Sequence, residues 1–327
     1  MRNWLKLAAL AGVLAAGTAQ AQDIKPAVIF DMGGKFDKSF NEAAYNGAEK
    51  FKAETGIPYL EFEVTNESQR DQALRRMAQR ADVIVAVGFA FSTPLEKIAA
   101  EFPDKKFVII DSEVDQPNVQ SVQFKEHEGS YLVGMAAALK SQTGKVGFVG
   151  GMDIPLIRNF EYGYEQGVKH VNPNAQVIVN FTGTTPAAWT DVSRAKELAI
   201  AQMDQGADVV YAAAGQAGLG ALEAAADAKK YSIGVDSNQN YLHPGSVLTS
   251  MMKRVDVAVH NAFADAKNGT WQGGAKNLGL KEEGVDYAVD ANNQKILTED
   301  MQTKINAAKK EIIGGQIVVK DYYSTQK

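Results

Sequence analysis

The chain has 327 residues, 45% hydrophobic and 22% charged, with a formal net charge of −5 and no cysteine. That balance suits a globular protein with one large core or two medium ones. It excludes disulfides and thiol chemistry, and a mildly acidic chain is a poor partner for a phosphate backbone, so no nucleic-acid partner is expected.

The first stretch, "MRNWLKLAALAGVLAAGTAQAQ", reads as a secretory signal peptide over residues 1–21. Arg2 and Lys6 give the basic start, Leu7 to Ala16 the apolar run, and Ala19-Gln20-Ala21 the small residues of a cleavage site. The apolar run is well short of the roughly 20 residues that span a bilayer. The expectation is a soluble periplasmic protein, cut after Ala21, with no cysteine to carry a lipid.

Short β-branched runs then alternate with helical patterns. Strands are expected at 27–30, 59–64, 82–87, 107–110 and 119–124, with helices near 39–54, 67–80 and 92–102 between them. A helix at 126–142 opens a second series, with strands at 145–151, 176–181, 208–213 and 231–235 and helices near 156–171, 188–205 and 217–229, followed by the stretch "SVLTSMM" at 246–252. A helix at 255–269, a strand at 285–289 and a last helix at 298–314 follow. Two successive β/α series of similar length predict an α/β protein of two doubly wound parallel-sheet lobes. The absence of a Pro- or Ser-rich linker points to a hinge. One lobe is expected from 22–125 plus 253–275, the other from 126–252 plus 276–327.

Ligands of open parallel sheets bind beyond the carboxyl ends of the strands. Asp31, Gly88, Asp111, Gly150, Gly151, Gly215 and Asp236 all follow expected strands. Glycine lets a backbone approach a ligand, and a carboxylate can accept from a sugar diol or a base N–H. Each acid can equally start a turn or cap a helix. In "DMGGKFDKSFNEAAYNG", Ser39 and Glu42 have the spacing of a capping box. That cap sets Phe40 and Asn41 in the first helical turn. Asn41 has a donor and an acceptor, as a purine edge requires, and Phe36 and Phe40 offer rings for stacking. Phe89 and Phe91 in "GFAFSTP" suit either the core or stacking, and Phe91 is the site candidate. Trp189 precedes a helix, where a hydrophobic staple is the alternative, and Lys253 alone reads as a solvated lysine.

No Gly-x-Ser-x-Gly elbow, Walker loop or His-Glu-x-x-His occurs. "GQAGLG" at 215–220 lacks dinucleotide spacing, though it can present N–H groups at a helix start. No metal or cofactor is expected: the histidines are scattered, and Asp31, Asp111 and Asp236 have no adjacent acid to complete a Mg²⁺ site.

Three stretches resemble one family. "GGKFDKSFNEAAYNGAEKF", "VGFVGGMDIPLIRNFEYGYEQG" (146–167) and "IGVDSNQ" (233–239) are similar to the signatures of the basic membrane protein, or PnrA-like, substrate-binding proteins of ABC transporters. The resemblance runs from about Ala27 to the end. It implies a type I periplasmic-binding-protein fold, a non-enzymatic monomer, a purine nucleoside or base as ligand, and a membrane permease as partner. It also implies that Asn41 and Asp111 hold the base, that Asp236 and Lys253 hold the ribose, and that Trp189 replaces a stacking phenylalanine. Other readings are the same fold binding a free base, a sugar or a signalling molecule, and an exported nucleoside hydrolase.

Overall fold

The computed structural model describes residues 24–326; the expected signal peptide lies outside them. In chain order the first lobe has β1 (Pro26–Phe30), α1 (Phe40–Thr55), β2 (Leu60–Glu63), α2 (Arg70–Ala78), β3 (Val83–Val87), α3 (Ser92–Glu101), β4 (Lys106–Ile110) and β5 (Val119–Phe124). The second has α4 (Glu126–Lys140), β6 (Lys145–Met152), α5 (Pro155–Val171), β7 (Gln176–Gly183), α6 (Val192–Asp204), β8 (Val209–Ala213), α7 (Gly218–Asp227), β9 (Tyr231–Asp236) and β10 (Val247–Lys253). Then come α8 (Val255–Asn268), β11 (Gly274–Leu278), β12 (Val285–Tyr287) and α9 (Glu299–Ile313).

These strands make two six-stranded sheets, ordered β11-β5-β4-β3-β1-β2 and β12-β10-β9-β8-β6-β7. Pairing is parallel apart from β10 with β12. β1, β3 and β8 are buried along their whole length, because helices cover both faces of a doubly wound sheet. Alternation sorts the first sheet's side chains. Ala27, Ile29, Ile84 and Ile109 pack with α2 and α3, whereas Val28, Phe30, Val85 and Val108 join the larger core.

The chain passes between the sheets after β5, after β10 and after β11. After β5, α4 packs on α5, so closely that a Cβ on Gly167 would lie 2.0 Å from the Tyr131 carbonyl oxygen. After β10, α8 returns to pack on α1. The sheets shift two expected boundaries. Lys253 closes β10 in the second sheet, and β11 carries the first sheet past 275 to Leu278, since its backbone pairs with β5 from Gln120 to Phe124. Two expected helices are also broken. A 3₁₀ turn at Glu67–Gln69 precedes α2. Another at Pro186–Trp189 precedes α6, whose N-cap Asp191 accepts from the Arg194 N–H at 2.9 Å.

Candidate functional site

A cleft with about 670 Å³ of empty space lies between the sheets, at the carboxyl ends of β1, β3, β4, β8 and β9. It is lined by Asp31, Phe40, Asn41, Asp111, Trp189, Gly215, Asp236 and Lys253. Phe36 and Phe91 are not in the lining. Phe36 is 56% exposed and stands edge-on to Tyr45, with the Lys35 ammonium over its ring. Phe91 is fully buried in the α2–α3 core. The 3₁₀ turn Phe89–Phe91 turns Phe89 to the cleft and Phe91 inward. Phe89 meets Trp189 edge-on across the cleft, centroids 6.5 Å apart. Gly151 makes room for Trp189: a Cβ there would lie 2.2 Å from the indole.

The expected capping box is absent. Asp37, two residues upstream, caps α1 instead. Its Oδ1 accepts from the N–H groups of Ser39 (2.8 Å) and Glu42 (3.0 Å), and its Oδ2 from that of Asn41 (2.9 Å). A carboxylate has two oxygens and a full charge to offer the helix start, so it outcompetes a hydroxyl. Burial pushes the Asp37 carboxyl above its ordinary value, against the pull of these hydrogen bonds. Glu42 accepts weakly from the Lys38 N–H at 3.3 Å.

Asn41 is committed to the same framework. Its Oδ1 accepts from the Asp31 N–H at 3.2 Å, and its Nδ2 donates to Asp37 Oδ2 at 3.1 Å. Behind Asp31 stands Arg70, a residue the sequence did not single out. Its Nη2 and Nε donate to Asp31 Oδ1 at 2.8 and 3.1 Å.

Lys253 is buried. Its Nζ lies 2.6 and 2.7 Å from the two carboxylate oxygens of Asp111 and 3.0 Å from Glu126 Oε1. The rings of Phe40, Phe124 and Phe160 stand 5.2–5.3 Å from the ammonium. Burial alone would lower the Lys253 pKa, but the carboxylates of Asp111, Glu126 and Asp236 outweigh it and raise the value. Burial pushes the Asp111 and Glu126 carboxyls up, against the attraction of Lys253. Glu126 was legible only as an acid in a helix's first turn.

Asp236 ends β9 with a left-handed φ of 64°, and Asp111 directly follows β4 with φ 68°. Asp236 Oδ2 accepts from the Ser39 hydroxyl at 2.5 Å. Burial raises its pKa to about 7; Lys253 and Ser39 pull it down, and Asp37 and Asp111 push it further up. The opposite wall is apolar: Leu156, Ile157 and Phe160 come from the first turns of α5, with Pro155 at its start. Among the described residues no group of three or more potential ligands is placed to hold a metal ion, and no helix is long and apolar enough to cross a membrane.

A cleft between two doubly wound parallel sheets, walled by rings and buried carboxyl groups, defines a solute-binding protein of the type I periplasmic-binding fold. The chain belongs to the PnrA-like family of ABC transporter substrate-binding proteins, whose family model matches residues 24–322. It is 37% identical over 308 residues to an uncharacterized lipoprotein of Pyrococcus horikoshii, covering 86% of this chain and 75% of the relative. It is 33% identical over 304 residues to basic membrane protein A of Borreliella burgdorferi, covering 90% and 87%. A solved ABC-transporter solute-binding protein from Aeropyrum pernix K1 aligns with a TM-score of 0.83 at 30% identity, over 92% of this chain and 96% of that one. The family is one of substrate-binding proteins.

Proposed function

We propose that this protein binds a purine nucleoside between its lobes, in the periplasm after signal-peptide removal, and delivers it as a monomer to the permease of an ABC importer. The observation that carries the reading is the pairing, within one cleft, of flat aromatic walls with a buried carboxyl group that has an unoccupied oxygen. Phe40, Phe89 and Trp189 line the cavity and suit the faces of a base. Asp236 has one oxygen on Ser39 and, among the described residues, no partner on the other, which suits a ribose diol. Among the described residues no group of three or more potential ligands is placed to hold a metal ion, and the family is one of substrate-binding proteins, so binding without turnover is the proposed role. The lobes would hinge where the chain passes between the sheets.

A free purine base is the second reading. It is favoured by Lys253, whose Nζ already faces three carboxylate oxygens and has little left for a ribose. Calorimetry on ligand-free protein against adenosine, guanosine, inosine, adenine, uridine and ribose tests both. Tight binding of purine nucleosides, weaker binding of adenine and none of ribose is expected. Equal affinity for adenine and adenosine would move the ligand to the base, silence across the panel would sink both readings, and hypoxanthine released from inosine would make the protein an enzyme.

A further inference from the structure

Ser39 has the spacing of a helix cap, yet its side chain makes no cap hydrogen bond. Asp37 does that work, and the Ser39 hydroxyl goes elsewhere. Ser39 is fully buried and outside the cavity lining. Its Oγ donates across the cleft to Asp236 Oδ2 at 2.5 Å, with the Val235 carbonyl oxygen a longer 3.4 Å away. Two neighbouring bonds run the other way. Ser237 Oγ donates to the Ser39 carbonyl at 2.7 Å, and Gln239 Nε2 donates to the Lys38 carbonyl at 2.9 Å. The turn before α1 in one lobe is thus gripped by the segment after β9 in the other.

We propose that Ser39 is a positioning residue for Asp236: its hydroxyl fixes the carboxyl that faces the ligand, and does so only when the lobes are closed. The inference rests on the reading of Asp236 as a ligand contact. A carboxyl at a strand end can rotate about its two side-chain torsions. With Oδ2 held from the opposite lobe, the other oxygen keeps one direction. Opening the cleft breaks the bond and frees the carboxyl, so the geometry that binds ligand belongs to the closed form. A ligand that uses Asp236 then favours closure, because it has differential affinity for the two states. Ser237 and Gln239 hold the lobes without touching the carboxyl. They act on closure but not on the direction of Asp236.

The test is a double-mutant cycle read by adenosine calorimetry. Ser39→Ala is expected to weaken binding about tenfold, roughly one hydrogen bond to a charged group. In an Asp236→Ala background the same change is expected to cost nothing further. Ser237→Ala is the contrast: a smaller loss that persists in the Asp236→Ala background. Equal Ser39→Ala losses in both backgrounds would overturn the inference, since Ser39 would then act through closure alone. So would an unchanged affinity of Ser39→Ala. If Asp236→Ala itself binds as wild type does, the ligand reading of Asp236 fails, and the inference with it. Should the alanine variant not fold, Ser39→Gly removes the same hydroxyl at a helix entry that glycine tolerates.

Discussion

Asp111 and Asp236 occupy matching places in the two sheets. Each stands at the carboxyl end of the third strand from one edge, Asp111 just after β4 in one sheet and Asp236 as the last residue of β9 in the other, and each has a left-handed φ. Each is held by a residue from across the cleft, Asp111 by Lys253 of β10 and Asp236 by Ser39 before α1. The difference is the partner's charge. An ammonium within 2.7 Å ties Asp111 into a buried ion cluster that also takes in Glu126. A hydroxyl carries no charge to offset burial, which raises the Asp236 pKa to about 7; burial raises that of Asp111 as well, against the pull of Lys253. One fold position, used twice, gives a carboxyl tied into an ion cluster in one lobe and, in the other, a carboxyl held by a hydroxyl on one oxygen alone.

The largest expected effect falls on the ion-cluster side. Lys253→Met removes the one cation from a cluster of two buried carboxyls. Breaking such a cluster from one side leaves uncompensated buried charge and costs about 3–5 kcal/mol. Urea unfolding at pH 7 measures it, and a loss under about 1 kcal/mol would show that the cluster is not held by charge.

Asp236→Asn sharpens the other side. Adenosine affinity is expected to fall by about 2 kcal/mol or more, roughly 30-fold, because an amide has one accepting oxygen and cannot serve both the Ser39 hydroxyl and a ribose hydroxyl. Stability should move the other way. The folded pKa of about 7 is raised by burial above the unfolded value. Asp236 therefore favours the fold fully below about pH 4, and that contribution is lost as pH rises to 7. Relative to wild type, the variant should gain stability between pH 4 and 8, by an amount on the order of 4 kcal/mol at most. A pH-independent difference between the two unfolding curves would show that Asp236 keeps an ordinary carboxyl pKa.

Trp189→Ala tests the wall that neither acid supplies. The indole stands against Gly151 and edge-on to Phe89. Loss of one stacking face is expected to cost about 1.5 kcal/mol, or tenfold, in adenosine affinity.

Much of this was readable in the chain. The apolar runs of β1, β3, β4 and β8 announced themselves because doubly wound sheets bury both faces. The strand-end acids followed from the same topology. β11 did not, since its residues are exposed or nearly so and carry no alternation. Ser39 and Glu42 mimicked a capping box because spacing does not reveal the stronger acceptor, Asp37, just before them. Glu126 and Arg70 looked like ordinary first-turn charges. Their partners Lys253 and Asp31 are distant in sequence and were paired with them only by the fold.

The smallest expected effect concerns two phenylalanines that sequence cannot rank. Phe36 sits in the family-like opening stretch, and Phe89 stands two residues before the equally aromatic Phe91. The structure separates all three by what surrounds them. Phe36 packs edge-on to Tyr45, centroids 5.2 Å apart, on the protein surface. Its ring is outside the cleft, so Phe36→Ala should leave adenosine affinity within about twofold and stability within about 1 kcal/mol. Phe89→Ala removes a ring from the cleft and should weaken binding by about fivefold, near the middle of the range for one aromatic contact. Calorimetry on the two variants side by side decides it. If Phe36→Ala loses as much as Phe89→Ala, the loop from Gly33 to Lys38 folds over the bound ligand, and the cleft described here is not yet the ligand-bound one.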